Sequence, residues 1–192
     1  MKSLAIYVTV VPSPGGPAAL QGGDFFTTCR HQADLLAAYD DFEVEILRSD
    51  NPQDKEKAAS GTYDFIIHVD SRLQLADKAF SIMLENSAFV NDKAIMVASV
   101  AGPDGKVVYG GRSKNGKLIQ PDPVIPVPCR IYDEMFYLVP RQAPSQHPQR
   151  LSLVMAPGIL ATCGEDAMPL PEKVPFWRKI SLLRRIVDFL NE

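Results

Sequence analysis

The chain has little that announces a chemistry. It has three cysteines, Cys29, Cys129 and Cys163. They are far apart and none has CxxC spacing, which excludes a disulfide scaffold and argues against zinc. There is no basic excess: 20 Lys and Arg stand against 23 Asp and Glu, net −3, which argues against a general nucleic-acid binder. No stretch reaches the roughly 18 apolar residues of a spanning helix. The first apolar run, LAIYVTVV from Leu4 to Val11, is short for a signal core and lacks a small-residue cleavage site after it. The expectation is therefore a cytoplasmic protein. Phosphate-loop signatures are missing too: PSPGGPAALQGG follows a strand-like run, yet it is neither GxxxxGK(S/T) nor GxGxxG and reads as an ordinary loop.

What is present is an ordinary globular composition, 46% hydrophobic and 22% charged over 192 residues. That length supports one domain with a sizeable core, here residues 1–192. LAIYVTVV has the near-continuous apolarity of a strand buried on both faces. Asp24 reads as the N-cap of a helix from about Phe25 to Tyr39, with Phe25, Cys29, Leu36 and Tyr39 at helical spacing. FEVEILR (Phe42 to Arg48) alternates and reads as a strand. The polar link that follows has room for one helical turn. YDFIIHV (Tyr63 to Val69) reads as a third strand, ADKAFSIMLENSAF (Ala76 to Phe89) as a helix and KAIMVASV (Lys93 to Val100) as a fourth strand. Strands alternating with helices imply an α/β fold with a mostly parallel sheet covered on both faces.

Beyond Val100 the pattern changes. GPDGKVVYGGRSKNGK carries Pro-Asp-Gly and Lys-Asn-Gly turns and reads as a hairpin or meander. PDPVIPVPC is extended. IYDEMFYLVPR (Ile131 to Arg141) reads as one strand, and LSLVMAPGILATC is strand-like but interrupted by Pro157 and Gly158. The end of the chain, about residues 174–191, is an amphipathic helix. Phe176, Ile180, Leu183, Val187 and Leu190 form its apolar stripe, with Arg178, Lys179, Arg184 and Arg185 around it. Such a helix packs on the sheet or lies in a membrane interface as a peripheral contact; the need for a covering helix favours packing.

The sharpest single feature is FIIHVDSRLQL (Phe65 to Leu75), an apolar run that stops at Asp70. A strand-terminal acid caps a turn by default, but the carboxyl end of a strand is also where α/β sheets place ligands. His68, two residues earlier, shares a sheet face with Asp70. It reads either as a satisfied core histidine or as a support for Asp70. His31 reads as a surface residue and His147 as loop.

Three pieces in order, DFIIHVDSRLQLADKAFSIMLENS, KAIMVASVAGPDGKVVYGGRSKNGK and CRIYDEMFYLVPR, resemble the family 2 glycosyltransferases. FEVEILRSDNPQD resembles that family's second strand with its terminal aspartate. The resemblance implies a three-layer GT-A-like fold, with a mixed, mostly parallel sheet flanked by helices. It implies a nucleotide-sugar donor, a divalent Mg or Mn ion, and transfer to an acceptor hydroxyl in surface polysaccharide or glycoconjugate synthesis. By position, Asp50 with Asn51 would contact the nucleoside. Asp70 would bind the metal, with Arg72 pairing to phosphate. In CGEDAMP, Glu165 and Asp166 would supply the catalytic base. The chain departs from the family in two places. It reads Asp70-Ser71-Arg72 where the family carries two or three acids, and only about twenty residues separate Asp50 from Asp70. These departures imply the alternative of a catalytically inactive domain serving as a binding or partner protein.

Overall fold

The computed structural model describes residues 1–11, 23–39, 42–60, 62–141 and 151–168. The C-terminal amphipathic segment 174–191, with its expected membrane contact, lies outside the described residues. So do His147 and most of the glycine-rich loop before the first helix.

The elements run β1 (Lys2–Thr9), α1 (Gly23–Tyr39), β2 (Phe42–Arg48), α2 (Pro52–Ala59), β3 (Phe65–Asp70), β4 (Leu73–Leu75), α3 (Ala79–Phe89) and β5 (Ala94–Ala101). Then come β6 (Val107–Tyr109), β7 (Gly111–Arg112), β8 (Val127–Cys129), β9 (Ile131–Tyr132), β10 (Phe136–Pro140), β11 (Ser152–Cys163) and a 3₁₀ turn, Glu165–Ala167. The main sheet has the order β2-β1-β3-β10-β5-β11-β4. β1 is parallel to β2 and β3, and β5 is parallel to β11. β10 runs antiparallel between β3 and β5. The result is a mixed, largely parallel sheet flanked by helices. No helix among the described residues is long and apolar enough to cross a membrane.

Burial explains the order. β5 sits near the middle, and all but one of its eight residues are buried, as its unbroken apolar sequence requires. One sheet face, through Leu4, Ile6, Val8, Ile67, Val69 and Leu138, packs on the buried side of α1 (Phe25, Cys29, Leu36) and on Phe80 and Met83 of α3. Phe80 meets Phe136 edge to face at 6.0 Å, both fully buried. Gln32 joins the two helices. Its Nε2 donates to Ala76 O at 3.0 Å, and its Oε1 accepts from Phe80 N–H at 3.2 Å. That last bond serves a first-turn donor of α3; the helix starts after Lys78, a left-handed residue with no side-chain cap of its own.

Several boundaries differ from the sequence expectation. The link after β2 is a two-turn helix, α2, capped by the Asn51 side chain with Pro52 at its start. Residues 131–141 are two strands, because the chain turns at Glu134 and Met135. β11 does continue through Pro157 and Gly158, with a register shift against β5 between Met155 and Ile159. Gly158 has φ +71°, so the bulge falls where proline and glycine are tolerated.

Candidate functional site at the carboxyl edge of the sheet

Strands β1, β2, β3, β5 and β11 end on the same edge, and β10 begins there. The chain leaving β1 is held by two serines. Ser49 N–H donates to Val8 O and Ser49 Oγ accepts from Val10 N–H at 2.8 Å. Ser71 N–H donates to Thr9 O, and Ser71 Oγ accepts from Val11 N–H at 3.4 Å.

Asp70 closes β3 and is 5% exposed. Its Oδ1 accepts from the Arg72 main-chain N–H at 2.9 Å and from Arg72 Nε at 3.0 Å, and its Oδ2 accepts from Arg72 Nη2 at 2.8 Å. Asp70 is therefore both a turn cap and half of a forked ion pair. The pair raises the Arg72 pKa, chiefly through its hydrogen bonds.

Two further parts belong to the hairpin that follows β5. Tyr109, on β6, feels the charges of Arg72, Asp133 and Asp70 and is pushed up mainly by burial. Its hydroxyl donates to Ala167 O at 2.5 Å, tying the hairpin to the 3₁₀ turn. Arg112 Nε donates to both Asp133 oxygens, at 3.0 and 3.1 Å, and its Nη1 donates to Gly116 O at 3.0 Å. Gly110 N–H also donates to Asp133, and Asp133 N–H returns a bond to Gly110 O. The double glycine is steric: a Cβ on Gly111 would lie 2.8 Å from Cys129 Cβ, and Gly110 has φ +154°.

Asp166 lies in the 3₁₀ turn, close enough for its charge to act on Arg72. Its Oδ1 would sit 2.8 Å from a Cβ on Gly164, so it folds back over that glycine. Glu165 beside it is exposed. Thus Asp70 and Arg72 are joined directly, and Asp166 reaches them only through its charge. Asp50 and Asn51 do not join them directly, since β1 lies between β2 and β3. Asp50 is itself held in a fork by Arg48, Nε to Oδ1 at 2.9 Å and Nη2 to Oδ2 at 2.7 Å. Asn51 Oδ1 accepts from Gln53 N–H at the start of α2. Arg48 also stands over the Phe26 ring at 4.9 Å, lining a groove of about 600 Å³ between α1 and β2.

Sequence reasoning did not single out Tyr109, Arg112 or Asp133. The only signal was the Tyr-Gly-Gly-Arg run that holds the first two. His68 is explained by its neighbours. It stacks on Tyr137 at 4.5 Å and 7° and meets Tyr7 edge-on at 5.5 Å, in register across β1, β3 and β10. Burial pushes its pKa down to about 4. The cysteines are buried and free, and burial pushes Cys29 up to about 12 and Cys129 up to about 11.

A resident divalent ion needs several oxygen ligands. Among the described residues no three His, Cys, Asp or Glu side chains are grouped to hold one. Arg72 already takes three of the lone pairs on Asp70, which leaves Oδ2 one free position for a metal.

No family model matches this chain, and no curated protein matches it. One similar solved structure is described as the crystal structure of A197 from STIV. It aligns over 91% of this chain and 100% of its own, at 10% identity and a TM-score of 0.43. A likeness at that level carries no argument about activity.

Proposed function

We propose that this chain is a GT-A-like domain that binds a nucleotide-sugar, with transfer of the sugar to an acceptor hydroxyl in surface polysaccharide or glycoconjugate synthesis. One observation carries the reading. The three separated sequence pieces that resemble family 2 glycosyltransferases lie side by side in one sheet, as β3, β10, β5 and the β6 hairpin. The antiparallel β10 between β3 and β5 suits the same reading.

In this reading Arg72 faces the diphosphate, Asp50 the nucleoside and Asp166 the acceptor. The acceptor oxygen bonds to the anomeric carbon and its proton passes to the Asp166 carboxylate. The bond to the diphosphate breaks, and the leaving group takes the electron pair. Arg72 supplies the positive charge and no step runs through Mg or Mn, because Asp70 as it stands is no ready ligand.

A second reading, a binding domain without catalysis, is favoured by the pairing itself. Asp50, Asp70 and Asp133 are each held by an arginine, which leaves Asp166 and Glu165 to act alone. Calorimetric titration with UDP-, GDP- and dTDP-sugars, with and without Mn²⁺, tests both readings. The expected result is binding to at least one donor that survives chelation and is lost in Arg72→Met. Product formation lost in Asp166→Asn then separates transferase from binder. No heat with any donor overturns the proposal.

A further inference from the structure

Residues 120–126 leave the body of the protein, and the chain returns through β8, which pairs with β11, almost to its starting point. Ile119 N–H donates to Gly111 O at 2.9 Å, and Cys129 packs directly against Gly111. The neck of the loop thus closes on one glycine. Its far side is anchored by Gly158 N–H, which donates to Asp122 O at 2.8 Å. The tip is Pro123-Val124-Ile125-Pro126. Val124 is 76% exposed and Ile125 58%. Ile131, just past the neck, and Ile159, next to the anchor, are also exposed. Single exposed aliphatics are ordinary; four around one loop are not.

The tip is also unusual in its backbone. Pro123 and Pro126 have no N–H. The N–H groups of Val124 and Ile125 both donate to Asp122 Oδ1, at 2.8 and 3.0 Å. The tip therefore presents no unpaired main-chain donor. In water that arrangement matters little, but in an apolar medium it removes the N–H half of the cost of burying the tip's main chain.

Charge gives the third observation. Residues 106–130 contain five basic side chains and one acid, Asp122, in a chain of net charge −3. Lys106 pairs with Asp104 and Arg112 with Asp133. Lys114, Lys117 and Arg130 are exposed and hold no ion pair among the described residues. Lys114 and Lys117 lie on the turn 113–117, closed by Ser113 N–H to Lys117 O. Arg130 N–H donates to Arg112 O. All three basic residues therefore lie within three residues of the neck positions Gly111, Ile119 and Cys129.

We propose that this loop is a membrane-contact element: Val124 and Ile125 enter the boundary between headgroups and acyl chains of an anionic bilayer, and Lys114, Lys117 and Arg130 engage headgroup phosphates. Exposed aliphatics at the tip and unpaired basic residues beside the neck are the two kinds of group that such a surface takes up. A protein groove would bring its own hydrogen-bonding groups and would not require a tip stripped of donors. The inference does not depend on the nucleotide-sugar reading.

The test is co-sedimentation of the full chain with phosphatidylcholine vesicles, with and without phosphatidylserine. Binding is expected with the anionic lipid and is expected to weaken as salt rises. The double variant Val124→Asp/Ile125→Asp should lower the partition coefficient about tenfold or more, since two aliphatic side chains no longer leave water. Val124→Ser/Ile125→Ser, a milder pair, should lower it in the same direction with an unchanged melting temperature. Asp122→Ala should weaken binding although it removes a negative charge, whereas Asp122→Asn, which keeps the acceptor, should not. No binding by the full chain overturns the proposal. So does binding unchanged in both double variants, which would move the contact elsewhere, for example to residues 174–191. A concentration-dependent dimer that these variants abolish, without vesicle binding, overturns it in favour of a second copy of the chain.

Discussion

Asp70 and Arg72 hold each other three ways, through both carboxylate oxygens and through the arginine main-chain N–H. Asp70 is buried and the Arg72 side chain is 28% exposed. Removing the acid strands a largely buried cation, so Asp70→Ala should cost about 2–3 kcal/mol. The double variant Asp70→Ala/Arg72→Met should cost less than Asp70→Ala alone. Denaturant unfolding of the four species gives the coupling energy. A coupling near zero would show that the pair contributes only charge to the surface.

The Arg48–Asp50 fork resembles the first pair in geometry but stands in solvent, at 45% and 44% side-chain exposure. Exposed pairs contribute little to stability. Asp50→Asn should therefore change stability by no more than about 1 kcal/mol. If Asp50 contacts the nucleoside, the same variant should weaken donor binding in the titration proposed above. Comparing the melting temperature with the binding isotherm separates the two roles.

Gln32 is a buried amide bridging two helices. Gln32→Leu keeps the volume but leaves Phe80 N–H and Ala76 O without this partner. Each buried group left unsatisfied costs about 1–3 kcal/mol. Ala76 O keeps its bond from Ala79 N–H, so the expected loss is about 1–3 kcal/mol, measured as a shift in the denaturation midpoint at unchanged slope. Hydrogen exchange at the start of α3 should rise with it.

These residues also show what the sequence could and could not convey. Strands β1, β2, β3 and β5 were legible because burial on one or both faces leaves a period in the sequence. The helix α2 was reduced to a single turn because it has no buried residues and so no apolar period. β4 is three residues long, too short to carry a pattern. The break between β9 and β10 depends on Asp133, whose carboxylate is placed by Gly110 and Arg112, more than twenty residues away. Nothing local marks such a partner. Asp70 was readable as an acid ending a strand. Its commitment to Arg72 was not, because the sequence shows the spacing of two residues but not the direction of either side chain.

His68 gives a pH dependence whose sign can be worked out. Its folded pKa is pushed from 6.5 down to about 4 by burial among Tyr7 and Tyr137. Below pH 6.5 the unfolded chain takes up a proton that the folded chain refuses until about pH 4. The unfolded state then binds more protons, so stability falls as pH falls. The contribution of His68 is complete above pH 6.5, declines between 6.5 and about 4, and is flat below. The whole loss is bounded at about 3 kcal/mol. His68→Phe can keep the stack on Tyr137 and cannot titrate. Its unfolding free energy, measured by denaturant from pH 7 to 4, should lack this part of the slope that the natural chain shows. Equal slopes in the two proteins would mean that His68 titrates normally and that the aromatic row is open to water.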